Sequence, residues 1–392
     1  MGINRLAGEP EKAILVGVQL PHQPKTRIQA QLDELAALAD TAGATVLSQI
    51  IQRRDRLCAS TLIGSGKLSE VGQLVKDKSI QLVIFDDDLT GSQVKKIETE
   101  VACKVLDRSG LILDIFAKHA RTAEAKIQVE VAQLQYMLPR LTRAWTHLSR
   151  QVGGIGTRGP GETQLEVDRR LVRKRLSDLK KKLSKQETVR QLQHDQRYPI
   201  FQVALVGYTN AGKSSLMNKL TSAGVKVEDR LFATLDATTR RIHLLNAAPS
   251  VLSDTVGFIR KLPHHLVESF KSTLSVVQNA SLILQVIDAS DEDFPEHMEI
   301  TKKVLSDLGM DATPKLIAYN KADRMEPEVK ERLLAQNPES VVFSALTGEG
   351  LPILKEFLRQ KQGQYLTQLT EKGYLRPELL EEVKQREGRP WS

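Results

Sequence analysis

The chain has only two cysteines, Cys58 and Cys103, and they stand in no spacing used by a metal site or a redox pair. They read as buried thiols of a reducing cytosol. Long apolar runs are also missing. Stretches such as Ser281 to Ile287 fall far short of the ~20 residues that a membrane span needs, and the N-terminus has no signal-peptide hydrophobic region. A cytoplasmic protein without a membrane span is therefore expected. Met1-Gly2 does not read as a lipidation signal, because position 6 is Leu6 rather than Ser or Thr. Aromatic residues are scarce at 4%, but 41% hydrophobic and 27% charged residues exclude a disordered or fibrous chain. With 392 residues there is enough chain for two or three domains, each with its own core.

The formal charge of +8 is unevenly placed. Arg140 to Lys185 holds thirteen Lys and Arg against Glu162, Glu166, Asp168 and Asp178, an excess of nine, so the rest of the chain is near neutral. A surplus confined to one segment points to a polyanion contact there.

The N-terminal part alternates β-like runs (Ala13 to Val18, Ala44 to Ile50, Gln81 to Phe85) with amphipathic stretches such as Arg27 to Ala42. That alternation predicts a small α/β domain with a largely parallel sheet over residues 1–116. The period then changes. Ile127, Val131, Leu134, Leu138, Leu141, Trp145 and Leu148 form one heptad seam, and Leu165, Val172, Leu176, Leu179 and Leu183 a second. Between them, residues 153–163 hold five glycines and Pro160, which cannot continue a helix. Residues 117–197 are thus expected to form a basic antiparallel helical hairpin. A plain helix–helix turn needs only ~2–5 residues, so a tip of this length carrying Arg158, with Arg150, Arg169 and Arg170 beside it, suits approach to a phosphate backbone. A solvated connector is the competing reading.

Residues 198–362 are expected to form a doubly wound, mostly parallel P-loop domain, with 363–392 as a short helical tail. The apolar run Phe201 to Val206 ends in Gly207-Tyr208-Thr209-Asn210-Ala211-Gly212-Lys213-Ser214, and a helical stretch follows. In this strand, loop and helix the backbone N–H groups surround the α- and β-phosphates, Lys213 reaches the β- and γ-phosphates, and Ser214 is placed to ligate Mg²⁺. The strand-like Ser250 to Ser253 delivers Asp254-Thr255-Val256-Gly257. Asp254 can hold Mg²⁺ through a water, and Gly257 can bring its N–H to the γ-phosphate because no Cβ obstructs it. Between these motifs lies Phe232-Ala233-Thr234-Leu235-Asp236. A switch threonine belongs in this region, and Thr234, Thr238 and Thr239 are all open to that role. Further on, Asn320-Lys321-Ala322-Asp323 and Ser344-Ala345-Leu346 follow strand-like runs. The Asp323 carboxylate accepts from both guanine donors and leaves adenine unmatched, so GTP and GDP are the expected ligands.

These motifs resemble the HflX family of ribosome-associated GTPases, within the Obg and HflX group of P-loop GTPases. Gly207 to Ser214, Phe232 to Asp236, Asp254-Thr-Val-Gly-Phe258, Ile63-Gly-Ser-Gly-Lys67 and Gly156-x-Arg-Gly-Pro-Gly-Glu162 carry the resemblance, over nearly the whole chain. It implies Mg²⁺-dependent hydrolysis of GTP, with Lys213, Thr234 and Gly257 in the reaction and Ser214 and Thr234 on the metal. It also implies binding to the large ribosomal subunit, with the hairpin tip on ribosomal RNA, and separation of stalled ribosomes under stress or a part in ribosome biogenesis. No DNA specificity is expected, and the chain is expected to be monomeric. Ala237 stands where the family usually has proline, which should loosen the switch segment. Ile63 to Lys67 lacks P-loop spacing and reads as a structural loop. The alternatives are a passive RNA-binding assembly factor with structural GTP and an ATP-dependent RNA remodeller acting through the N-terminal domain.

Overall fold

The computed structural model describes residues 10–141, 164–195, 200–221, 231–232, 234–245, 248–263, 266 and 276–387. They fall into two compact units, Met1–Lys185 with Pro263–Ser269 and Gln186–Leu262 with Phe270–Ser392. No helix among the described residues is long and apolar enough to cross a membrane.

In the first unit, β1 (Glu11–Gln19), β2 (Ala44–Arg53), β3 (Leu82–Phe85) and β4 (Lys104–Asp107) form a parallel sheet in the order β2-β1-β3-β4. Ala13 to Val16 and Leu82 to Phe85 are fully buried, the unbroken apolar reading of strands covered on both faces. Helices α1 (Lys25–Ala42), α2 (Ser65–Asp77) and α3 (Gly91–Val101) make the crossovers, and α4 (Arg108–His119) follows β4. Thr90 and Gln93 form a reciprocal capping box at α3. At the carboxyl end of the sheet, Asp107 accepts from Gly110 N at 2.9 Å, Tyr136 Oη at 2.7 Å and Arg140 Nη2 at 2.8 Å. Beside it, the buried Arg108 pairs with Asp86 at 2.7 Å and with Glu34. Gly64 N donates to Gln52 Oε1 at 2.9 Å, and Lys67 is held by Glu70 at 2.6 Å. The Ile63 to Lys67 segment is thus the entry and first turn of α2, and its lysine already has an acidic partner.

The first hairpin helix is shorter than its heptad spacing predicts. α5 (Ala123–Met137) gives way to a 3-10 turn at Leu138–Arg140, and Leu141 is extended. Pro139 has no N–H to return to the preceding turn. The buried stripe of α5 is Ala125, Gln128, Val129 and Ala132 with Val131, whereas Ile127 and Leu134 are half-buried. The helix is therefore turned from the seam expected of it, packing on α4. Trp145, Leu148 and the glycine-rich tip lie outside the described residues. The second seam is there: α6 (Gln164–Asp195) buries Val172 and Leu179 and half-buries Leu176 and Leu183. Arg175 of α6 pairs with Glu130 of α5 at 2.7 Å. Neither cysteine is fully buried. The Thr61 and Ser60 hydroxyls beside Cys58 lower its thiol to about 6, and burial pushes Cys103 up to about 11.

The second unit is built on a six-stranded sheet in the order β10-β9-β8-β5-β7-β6. Its strands are β5 (Phe201–Val206), β6 (Thr238–Ile242), β7 (Ser250–Asp254), β8 (Leu282–Asp288), β9 (Lys315–Asn320) and β10 (Val341–Val342), and only β6 runs antiparallel. The central apolar strands β5 and β8 are covered by α7 (Lys213–Thr221), α8 (Phe294–Asp307), α9 (Pro327–Gln336) and α10 (Leu351–Glu371). The P-loop domain and its doubly wound parallel sheet are as the sequence predicts. The positions 116 and 362, where boundaries are expected, fall inside α4 and α10. α10 runs on to Glu371, and Leu366 packs with Leu375, Leu380 and Val383 of α11 (Pro377–Glu387) and its approach against Leu245. The tail thus shares an apolar cluster with the loop after β6.

Candidate nucleotide site

The carboxyl ends of β5, β7 and β9 bring the sequence motifs together, where open α/β sheets carry their ligands. Leaving β5, the chain turns through Gly207 at φ 150°, where a Cβ would collide with the Val286 carbonyl oxygen. Asn210 takes a left-handed φ of 61° and Gly212 a φ of 91°. The turn wraps the ammonium of Lys213, which donates to the carbonyls of Gly207 at 3.1 Å and Tyr208 at 2.8 Å. Burial lowers this lysine to about 8, opposed by the charge of Asp254. The cation so held belongs to the first residue of α7, whose first N–H groups make its N-terminus attractive to phosphate.

Ser214, Thr234 and Asp254 meet at one point. The Ser214 hydroxyl donates to Asp254 Oδ2 at 2.6 Å and lies 2.8 Å from Thr234 Oγ1, which donates to the same carboxylate oxygen at 3.2 Å. Oxygens about 2.9 Å apart are neighbours on the octahedron of a metal bound at ~2.1 Å, the spacing Mg²⁺ demands. Asp254 Oδ1 is buried with no hydrogen-bond partner. Burial raises the Asp254 carboxyl, and Lys213, Ser214 and Thr234 pull it back down. The donor set therefore fits a small hard cation. Of the three threonines that the sequence leaves open, Thr238 bonds the Asp236 carbonyl and Thr239 the Ser253 hydroxyl, so Thr234 alone faces this point. Leu235 is buried and Asp236 half-buried; Ala233 lies outside the described residues.

Next to these oxygens, the Thr255 hydroxyl donates to the Leu205 carbonyl at 2.6 Å and anchors the end of β7. Val256 is buried, and Gly257 lies so close to the loop that a Cβ would come 2.7 Å from Thr209 Cα and 3.0 Å from Lys213 Nζ. Phe258 pairs through its backbone with the P-loop: its N–H donates to Gly207 O at 3.1 Å and its carbonyl accepts from Thr209 N at 2.8 Å. Its ring is buried in the core. Phe232, at φ 56°, donates its N–H to Thr209 Oγ1 at 3.0 Å.

The base-reading segments join from the other side. Asn320 donates to the Ala211 carbonyl at 2.8 Å and accepts from Ala345 N at 2.9 Å, tying the P-loop to both late motifs. Ala322 N donates to the Phe343 carbonyl at 3.1 Å. Lys321, at φ 64°, pairs with Asp288 at 2.5 Å. The exposed Asp323 accepts from the Ser344 hydroxyl, which itself accepts from the N–H groups of Leu346 and Thr347. A Cβ on Gly212 would land on the Asn320 amide nitrogen, at a φ that costs other residues ~1–3 kcal/mol. Gly212→Ala is accordingly expected to weaken fluorescent-GDP binding by at least about tenfold, or ~1.4 kcal/mol; unchanged affinity in that titration would sink this account of the loop.

Sequence reading missed the residues behind this site. Arg260 N donates to the Tyr208 hydroxyl at 2.8 Å, and its guanidinium reaches Asp293 at 2.7 Å and Glu296 at 3.1 Å at the start of α8. The Tyr208 ring stacks on His297 at 3.7 Å. Burial, and the nearby Arg260 charge, lower His297, against the pull of Asp291. No spacing links these positions in the sequence, and only the fold gathers them.

Three stretches of the chain match known families: residues 29–117 "GTP-binding GTPase N-terminal", 119–197 "GTP-binding GTPase Middle Region", and 202–321 "50S ribosome-binding GTPase". The chain is 50% identical over 364 residues to GTPase HflX of Caldanaerobacter subterraneus subsp. tengcongensis, covering 92% of this chain and 82% of that one. It is 48% identical over 313 residues to GTPase HflX of Flavobacterium psychrophilum, covering 80% and 76%. Among solved structures it is similar to a GTP-binding protein from the archaeon Sulfolobus solfataricus in complex with GDP, at 24% identity and a TM-score of 0.47, over 91% of this chain and 99% of that one.

Proposed function

This chain belongs to the HflX family of GTPases, and from that premise we propose that it couples GTP hydrolysis to binding of the large ribosomal subunit, separating stalled ribosomes under stress. The observation that carries the GTPase half is the meeting of Ser214, Thr234 and Asp254 beside Lys213. Ser214 and Thr234 would hold Mg²⁺ directly and Asp254 through a water. When bound, the ion would supply positive charge to offset that of the phosphates. Lys213 binds the β- and γ-phosphates, the Gly257 N–H orients the γ-phosphate, and Thr234 links the switch loop to nucleotide state. Asp323 selects guanine.

The ribosome half is supported by the description of the family matched at 202–321 and by the charge of α6. Arg173, Lys174, Lys181 and Lys185 are exposed along a helix that buries Val172 and Leu179 on its other side. Exposed cations along a long helix suit the phosphates of ribosomal RNA. Binding of the GTP-loaded chain to large subunits should therefore weaken steeply with salt. Replacing these four residues with alanine should flatten the log–log slope by about 3, at ~0.7–0.9 per lost phosphate contact, and leave GDP affinity unchanged. Cosedimentation across a salt series tests this, and a slope indifferent to the four substitutions would return α6 to the role of a connector.

A further inference from the structure

We infer that Arg260 is a positioning residue for GTP hydrolysis, holding the Gly257–Arg260 backbone against the P-loop through an acidic clamp on α8. The inference rests on hydrolysis taking place at this site. The Phe258 ring is buried and carries no donor or acceptor, so the segment after Asp254 meets the phosphates with main-chain groups. A main-chain donor is only as well aimed as the backbone that carries it. At one end that backbone is fixed by β7 and by Thr255. In the middle, Phe258 exchanges hydrogen bonds with Gly207 and Thr209.

The far end is fixed by Arg260. Its main-chain N–H is taken by the Tyr208 hydroxyl, and the Tyr208 ring is seated on His297 at 3.7 Å with 13° between the planes. Its guanidinium, in a side chain only 6% exposed, bonds Asp293 at the N-cap of α8 and Glu296 in its first turn. Loop, switch segment and α8 thus meet in one arrangement, with a P-loop residue in it. Among the described residues the bonds of Arg260 go to the Tyr208 hydroxyl, Asp293 and Glu296 and not to Lys213, Ser214, Thr234 or Asp254, so it acts through the backbone of Gly257 and not on the reacting atoms. Asp293 and Glu296 are 45% and 33% exposed, so the clamp can be loosened from outside without opening the core.

Single-turnover hydrolysis at saturating GTP is compared in the parent chain, Arg260→Ala, Arg260→Lys and the double variant Asp293→Asn/Glu296→Gln, alongside GTP and GDP affinities from fluorescent analogues. Arg260→Ala and the double variant are expected to lower the rate about 10- to 100-fold, the cost of small misplacements at a reacting centre, while both affinities stay within about threefold. Arg260→Lys keeps one ion pair and should fall between. If Arg260→Ala does not fold, the double variant, checked by its melting temperature, carries the test alone. Parental rates in the double variant would overturn the proposal, as would affinities that fall in proportion to the rate. A parent chain that does not hydrolyse GTP would instead count against hydrolysis at this site.

Discussion

Asp323→Asn is expected to lower GTP affinity about 100-fold and to raise the affinity for xanthosine triphosphate. The carboxylate takes two hydrogens from guanine, and bonds to a charged group contribute ~1.5–3 kcal/mol, up to a factor of about 150. An asparagine keeps one acceptor but adds a donor, which repels the guanine amine and suits the carbonyl that xanthine has in its place. The surrounding loop should survive, because Ser344 can still donate to the remaining oxygen while accepting from Leu346 and Thr347. Competition between the two triphosphates for fluorescent GDP reads the switch in preference. Unchanged GTP affinity would remove Asp323 from base recognition.

A larger effect is expected at Phe258, which stands where many GTPases carry a glutamine that orients the attacking water. The ring offers no hydrogen bond, and it is buried. The isolated chain should hydrolyse GTP slowly, and docking of the large subunit against the switch segments should raise the rate ~10³-fold or more, as completion in trans does in other GTPases. The burial adds a consequence. Phe258→Gln places an amide in the core rather than in the site, so it should destabilise the chain by ~1–3 kcal/mol without speeding hydrolysis. A stable Phe258→Gln chain with fast intrinsic turnover would show that the side chain at 258 does reach the nucleotide.

Much of the site was legible because its chemistry is local. Gly207 to Ser214 must leave a buried strand, turn at glycines and enter a helix, and all three requirements are written within fourteen residues, Phe201 to Ser214. Asp254 and Asn320 could be read the same way, each at the end of an apolar run. The parallel N-terminal sheet was equally plain from its alternation. The buried face and the end of α5 were not, because a heptad count registers which residues are apolar and is blind to what lies beside them. α4 competes for the face of α5, and Pro139 ends the helix. The switch threonine could not be chosen from sequence, since Thr234, Thr238 and Thr239 differ only in where a bent segment points them. Arg260 and its partners Asp293 and Glu296 were out of reach for another reason. Over thirty positions separate them in the chain, and α8 brings them together only after β8 has crossed the sheet.

In the proposed function this GTPase completes its reaction on the ribosome. Single-turnover hydrolysis of saturating GTP by the full chain, with and without purified large ribosomal subunits, tests it most directly. A slow intrinsic rate that rises about 10³-fold with subunits is the expected result. Fast hydrolysis by the chain alone, indifferent to added subunits, would contradict it.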